Sequence, residues 1–552
     1  VGIYLTDMKK NTLELLTNII KDSLNELNLQ FKDEDIYLDL PQDNRFGDLS
    51  TNVALRFSKQ LKKPPQEVGK IIIETVKKHL EKCVLKDLIK DIKIEGAGFI
   101  NFYFNESYFH DHIKSVIKEG KESLKPGLGN GKKVLIEFVS ANPTGPLSVA
   151  HARQAVVGDC LGNILKFVGF NVSKEYYLND EGNQINILGR SVELRMKELL
   201  GEKESFPEDH YQGEYIYEIA QEIIDKKLEV KDFREFASDY ILHIIKEELE
   251  DFGVEFDCWY SQKELGKSGK IESYIEELKK KGYVYEQDGA FWLKSTDFGD
   301  DKDRVIIKSD GSYTYLAPDI AYHQEKFKRG FEWLINLWGP DHHGYISRLK
   351  ASIAAFGHNP KALDVIIVQL ATIFREGKPV QMSTRRGQYI TLREVLDEVG
   401  RDASRYFFVM RKTNSHLDFD LDVAKKQTSE NPVFYVQYAH ARICGILRSS
   451  PEKINADIID FSLLKEKEEL ELEKKLCQFS NVLNICLKTQ DPFMITVYLQ
   501  ELAEDFHKFY DLHRVLGQDK ALTMARLGLL EATRIVISCG LDLLAVASPE
   551  TM

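Results

Sequence analysis

At 552 residues, 43% hydrophobic and 29% charged, the chain has an ordinary composition for a soluble protein and room for roughly three or four domains. Its net charge of −13 excludes non-specific wrapping of nucleic acid, although a basic track on one face stays compatible with it. The seven cysteines are scattered, with no CxxC pair and no zinc-type spacing, and neither a long apolar run nor a signal-type leader is present. A cytoplasmic protein with reduced thiols and no structural metal is therefore expected.

Met8 reads as the natural start, with residues 1–7 an upstream remnant. Residues 8–112 read as a separate α+β unit. Leu13, Leu16, Ile19, Ile20, Leu24 and Leu27 form a helical stripe, and residues 99–104 read as a strand behind Gly96 and Gly98. Lys59, Lys62 and Lys63 either meet a polyanion or solvate a helix end. Residues 113–133 contain the best linker of the chain, rich in Gly and Lys.

Residues 134–139 predict a strand carrying one acid, Glu137, which the NPTGP run at 142–146 breaks. Val149, Ala152, Val156, Cys160, Ile164 and Val168 then repeat at helical spacing, and 171–178 alternates as a second strand. Strand, crossover helix and strand make a right-handed parallel unit. Residues from about 186 to 300 are mostly charged amphipathic helix and separate this half of a nucleotide fold from the next. The second half predicts a strand at 304–309, and Tyr315 and Asp319 lie four apart at a helix start. An apolar run at 333–338 ends in GPDHHG, a helix carries Ile346, Leu349, Ile353 and Phe356, and 365–373 reads as one buried strand. A loop at 377–387 follows, and helical periodicity dominates from Thr391 to the end.

Ser148 and His151 stand at a helix entrance beyond a strand's C-terminal end, where an anion is favoured and donors stabilise charge on phosphate oxygens. A capping serine with a structural histidine is the alternative. Glu137, Asn142, Tyr315 and Asp319 offer two acids and hydrogen-bonding partners suited to a cationic substrate, a guanidinium above all. Adjacent His342 and His343 point to different sides of a regular element, which argues against a shared metal and for nucleotide contacts, with Gly339 and Asp341. Met382, Ser383, Thr384, Arg385 and Arg386 suit a mobile cover over a triphosphate, or a plain basic surface loop. Tyr435, Tyr438 and Arg442 share a helical face and suit stacking of RNA bases, although a half-buried core helix has the same pattern.

Several longer stretches carry a family likeness: SANPTGP at 140–146, EYYLNDEGNQ at 175–184 and NPVFYVQYAHAR at 431–442. DFDL at 418–421 and DASR at 402–405, the latter like a DALR signature, agree in order. On these the chain resembles the bacterial-type arginyl-tRNA synthetases, class I aminoacyl-tRNA synthetases, from Met8 to Met552. The resemblance implies a multidomain α/β protein. A Rossmann-type catalytic domain would span 134–420 with its helical insertion, behind the N-terminal α+β domain that meets the tRNA elbow. An all-α anticodon-binding domain of DALR type would span 421–552.

The same likeness implies that Glu137, Asn142, Tyr315 and Asp319 hold arginine, and that Ser148, His151, Ser383 and Arg385 act in catalysis. Ser148, His151, Gly339, Asp341, His343 and Met382 would bind ATP, which comes with Mg2+, and Tyr435, Tyr438 and Arg442 would meet tRNA(Arg). The implied reaction forms arginyl-adenylate, usually only with tRNA bound, and then charges the terminal adenosine; the implied state is a monomer. Two departures stand out. Ser148 and Ala150 occupy positions where the family's HIGH-type motif has His and Gly, and QMSTR at 381–385 lacks both lysines of a KMSKS-type loop. Arg385, Arg386 and Lys378 are the candidates for the missing charge. Loss of one charge-assisted contact costs on the order of 1.5–3 kcal/mol, about one to two decades in rate. An active ligase and a tRNA-binding paralogue with degraded catalysis are thus the two readings. Retention of the arginine-pocket residues favours the ligase.

Overall fold

The computed structural model describes residues 12–39, 41, 44–202, 204–380 and 389–552. In the N-terminal unit, β1 (Leu49–Thr51), β2 (Ile89–Glu95) and β3 (Phe99–Phe104) form an antiparallel sheet in the order β1-β3-β2. The helices Thr12–Glu26, Val53–Leu61 and Pro65–Leu80 belong to the same unit, and Leu16, Leu24, Val53, Ile72 and Phe102 share its core. Gly98 turns β2 into β3 at φ 124°, and a Cβ there would sit 2.7 Å from that of Pro65, so glycine is required. The helix Glu106–Glu119 follows, so the 113–133 stretch expected to link domains begins inside a helix. Its glycine-rich end is tied down as well: Gly129 and Gly131 N–H groups donate to the Val168 and Gly169 carbonyls at 2.8 and 2.9 Å.

The central unit is built on β4 (Lys133–Glu137), β5 (Asn171–Leu178) and β6 (Cys258–Ser261). A side sheet of β7 (Val284–Gln287), β8 (Ala290–Leu293) and β9 (Arg304–Ile307) comes next in the chain, then β10 (Trp333–Trp338) and β11 (Leu363–Ile367). The main sheet is parallel, in the order β11-β10-β4-β5-β6. Val134, Leu135 and Ile136 are fully buried, as expected of a strand covered on both faces. Ile136 packs with Ala152 and Val156 of the crossover helix Val149–Phe167, whereas Leu135 packs with Leu349 and Ile353 of the helix Ile346–Phe356.

Four expectations change here. The 186–300 stretch is not wholly an insertion, because β6 returns from it to the sheet edge beside β5. Periodicity hides so short a strand between helices. The strand expected at 304–309 joins β8 in the antiparallel side sheet rather than the main one. Likewise, the single strand expected at 365–373 is two, β11 and β12 (Ala371–Arg375), in different sheets. β12 pairs with β13 (Lys378–Pro379) and with β14 (Leu417–Asp420), a strand within the region expected to be helical.

The C-terminal bundle consists of the helices Pro432–Arg448, Lys467–Cys477, Phe479–Thr489, Phe493–Leu512 and Lys520–Leu543. Asn431 caps the first, accepting the Val433 N–H at 3.2 Å, with Pro432 at the first helical position. The bundle shares one hydrophobic core with the crossover helix. The buried Arg405 joins them: it pairs with Asp159 of that helix and donates to the Leu544 carbonyl at 2.8 Å.

Candidate active site

The chain leaves β4 toward β5 and β6 on one side, and later fills the other side with β10 and β11. The strand order therefore reverses between β4 and β10, and in open α/β sheets ligands bind beyond the strand ends at such a point. Glu137 closes β4 there, in register with Asn336 of β10 and Glu175 of β5. All three are buried. The helix Leu316–Lys328 lies over them with a polar stripe at i, i+3, i+4 and i+7: Asp319, Tyr322, His323 and Lys326.

Each member of the stripe has a defined contact. Lys326 Nζ donates to Glu137 Oε2 and, at 3.2 Å, to Asn336 Oδ1. Asn336 Nδ2 donates to His323 Nε2 at 2.8 Å, and His323 Nδ1–H donates to the Asp319 carbonyl at 2.8 Å. Burial, with Lys326 beside it, holds His323 neutral, well below its ordinary range. The Tyr322 hydroxyl donates to Glu175 at 2.6 Å, and the Arg329 fork grips the same carboxylate. Burial opposes the charge on Glu175, yet Arg329, Lys326 and the Tyr322 hydroxyl hold it below the usual carboxylate range. Asp319 differs: Oδ2 accepts the Tyr345 hydroxyl at 2.7 Å, and no salt bridge to it forms among the described residues. Burial pushes its carboxyl up to about 7; the Tyr345 bond pulls down and Glu137 pushes up.

On the opposite side of β4, Ser148 stands at the entrance of the Val149–Phe167 helix. Its N–H donates to His151 Nδ1 at 3.2 Å, so the ring proton sits on Nε2. Ser148 Oγ lies 3.2 Å from the same nitrogen. Burial lowers His151 to about 4, leaving a neutral donor at neutral pH. Residues 147–149 pair with 390–392: Leu392 N–H donates to the Leu147 carbonyl at 2.7 Å, and Val149 N–H to that of Ile390 at 3.3 Å. Met382, Ser383 and Arg385, with the rest of 381–388, lie outside the described residues.

Three family descriptions cover nearly the whole chain. "tRNA synthetases class I (R), catalytic domain" matches residues 112–443, "Arginyl tRNA synthetase N terminal domain" 14–104 and "DALR anticodon binding domain" 436–552. The chain belongs to the arginyl-tRNA synthetases. Among curated relatives, the arginine–tRNA ligase of Citrifermentans bemidjiense is 46% identical over 531 residues, 94% of this chain and 95% of its own. That of Bacillus pumilus is 44% identical over 553 residues, 98% of each chain. The structure of the Thermus thermophilus arginyl-tRNA synthetase has a TM-score of 0.76 at 20% identity, over 98% of this chain and 100% of that one, a likeness of fold.

In this arginyl-tRNA synthetase the fold brings Glu137 close enough to Asp319 for its charge to act there, and Asn142 lies in the loop beyond β4. Asn142 accepts from Asn179 at 2.8 Å and donates to Gln184. Tyr315, expected beside Asp319, is instead 89% exposed at the start of its helix and makes no hydrogen bond among the described residues. Gly339 leads from β10 into the turn Pro340–Tyr345, where Asp341 and His343 are exposed. Sequence reasoning missed Lys326, His323, Asn336, Arg329 and Tyr345. The spacing from Asp319 to Lys326 was a legible signal, a polar stripe on a mostly buried helix. Far from the cleft, His507 meets the Tyr435 ring at 4.7 Å and the Tyr438 ring at 5.9 Å, and Arg442 lies over Tyr438 at 4.7 Å. A cavity of about 310 Å³ opens beside them, lined also by Ser429, Phe434 and Asp511.

Proposed function

We propose that the cleft between β4 and β10 activates arginine with ATP and passes it to the 3′-terminal adenosine of tRNA(Arg), a reading supported by curated relatives named arginine–tRNA ligase. One observation carries the reading: Asp319 offers a carboxylate whose hydrogen-bond partner is a neutral hydroxyl, in a cleft where other acids already hold cations. A guanidinium supplies the missing charge and the paired N–H donors. Glu137 is engaged by Lys326, so its contribution is the negative field it adds beside Asp319. Asn142 and Tyr315 are proposed as the further contacts to arginine.

In the first step the arginine carboxylate attacks the α-phosphorus of ATP and pyrophosphate leaves. The His151 Nε2–H and the helix entrance at Ser148 are the donors for the phosphate charge, with Gly339, Asp341 and His343 beside the nucleotide. In the second, a terminal ribose hydroxyl attacks the activated carbonyl and AMP leaves. Magnesium would accompany the ATP phosphates as part of the substrate. The aromatic cavity at Tyr435, Tyr438 and Arg442 is the surface proposed for unstacked tRNA bases. A cytoplasmic monomer is the proposed setting.

Arginine-dependent ATP–pyrophosphate exchange, run with and without tRNA(Arg), tests this. Exchange is expected, at least with tRNA present. Folded protein that binds tRNA yet shows no exchange under either condition overturns the ligase reading.

A further inference from the structure

Tyr177 is the buried tyrosine the network leaves out. It lies on β5 two residues after Glu175 and so presents the same face toward the helix Leu316–Lys328. Its ring is stacked on Tyr322 at 4.2 Å and 23°, and on Tyr260 at 6.4 Å and 24°. Its N–H donates to Ser140 Oγ at 3.1 Å, and that hydroxyl donates to Glu137 at 3.1 Å. The side chain is thus fixed in place and only 6% of the residue is exposed.

Its hydroxyl, however, has no hydrogen-bond partner among the described residues. Other buried tyrosines are all served: Tyr176 donates to the Ala141 carbonyl, Tyr322 to Glu175, Tyr406 to the Thr496 carbonyl and Tyr498 to the Lys475 carbonyl. A buried, rigid, unpaired hydroxyl lowers stability unless something binds to it. Burial raises the Tyr177 phenol far above its ordinary range, and Asp319 and Glu137, then Tyr260 and Asp180, add to this. The geometry sets this side chain beside those acids: its ring lies on Tyr322, one turn along the helix from Asp319, and its N–H is linked through Ser140 to Glu137.

We propose that Tyr177 is a specificity-determining residue for arginine, its oxygen accepting a guanidinium N–H while Asp319 takes the paired ones. A guanidinium presents five N–H donors in one plane, more than a single carboxylate can accept, so a second neutral acceptor at a fixed angle selects it over a compact ammonium. This rests on the assignment of Asp319 to arginine made above.

Tyr177→Phe tests it, with Asp319→Asn in parallel, by arginine titration calorimetry and by exchange with tRNA(Arg) present. Tyr177→Phe is expected to raise the arginine Kd and KM by about ten- to hundredfold. The kcat at saturating arginine stays within about twofold and the ATP KM is unchanged. Because the substitution removes only an unpaired hydroxyl, the arginine-free protein keeps or raises its Tm, which a merely structural tyrosine would not do. An unchanged arginine Kd in Tyr177→Phe, with binding lost in Asp319→Asn, overturns the role of Tyr177 alone. Unchanged binding in both variants overturns the arginine site itself.

Discussion

Asp319 and Glu175 lie in one cleft and are driven in opposite directions, and the difference is a cation. The Arg329 fork grips Glu175 with Lys326 nearby, whereas the Asp319 carboxyl is bonded only to a hydroxyl among the described residues. Lys326 acts on it less than Glu137 does, so burial decides and lifts it to about 7. Raised above its ordinary 3.8, this carboxyl favours the free fold below that value, and the benefit is lost as pH rises through about 7. On the proposed assignment arginine needs the ionised form, and its binding would supply the opposite charge. The pH profile of kcat/KM for arginine is accordingly expected to rise with unit slope and bend near pH 7, and arginine should raise Tm more at pH 8 than at pH 6. A profile flat from pH 5 to 8 would contradict the assignment. Glu137 and Asp319 were legible as acids at a strand end and a helix start, but not which of them was already paired. Lys326 lies 189 positions from Glu137, and only the packed helix brings them together.

The element proposed to position the nucleotide is the helix Val149–Phe167, and Arg153 fastens it. This fully buried guanidinium makes no salt bridge among the described residues; it donates to the carbonyls of Gln369, Leu370, Ser415 and Lys412 at 2.7, 3.3, 2.9 and 3.1 Å. Burial lowers it to about 10, so it remains charged at neutral pH. Those carbonyls lie where β11 gives way to β12 and just before β14. Arg153 thus holds the strand break against the helix that carries Ser148 and His151. Arg153→Ala is expected to cost on the order of 3 kcal/mol or more, because it leaves buried carbonyls unpaired, and to lower kcat in exchange. Arg153→Lys keeps the charge but not the fork, and should fall between. Urea midpoints of the three proteins check the order; equal midpoints would show that the carbonyls find other donors. The break itself was not legible, since residues 365–373 are apolar enough for one strand and the donor that splits them is more than 200 positions away.

Across the whole molecule, the helix Glu106–Glu119 carries the N-terminal unit onto the C-terminal bundle. Lys474 meets Asp48 at 2.8 Å, Lys118 pairs with Asp457 and Lys121 with Asp542, beside a cavity of about 430 Å³ lined in part by Tyr108, Lys474 and Asn481. At the centre of this contact Glu473 is buried with both oxygens lacking a hydrogen bond, and His110 Nε2 is 3.6 Å away. That separation suggests an ion pair, but burial pushes Glu473 up to about 8, with Glu469 and Glu106 adding to it, and lowers His110, so both groups are neutral at pH 7. The raised carboxyl favours the fold fully below its ordinary 4.5 and loses that benefit as pH rises through about 8. Glu473→Gln should therefore match the parent in Tm at pH 5 and exceed it by about 2–4 °C at pH 9. A lower Tm at pH 9 would mean that the carboxylate is charged and compensated. By itself the sequence determined the strand–turn–helix at residues 134–167, the helical C-terminal region, the acids of the cleft and the family likeness, because these rest on local periodicity, turn chemistry and contiguous motifs. The tertiary structure alone decided the edge place of β6, the two sheets of β11 and β12, the Lys326–Glu137 pair, the unpaired Tyr177 hydroxyl and the neutral Glu473. Each depends on which distant groups are brought close in a space without water, and local pattern carries no record of that.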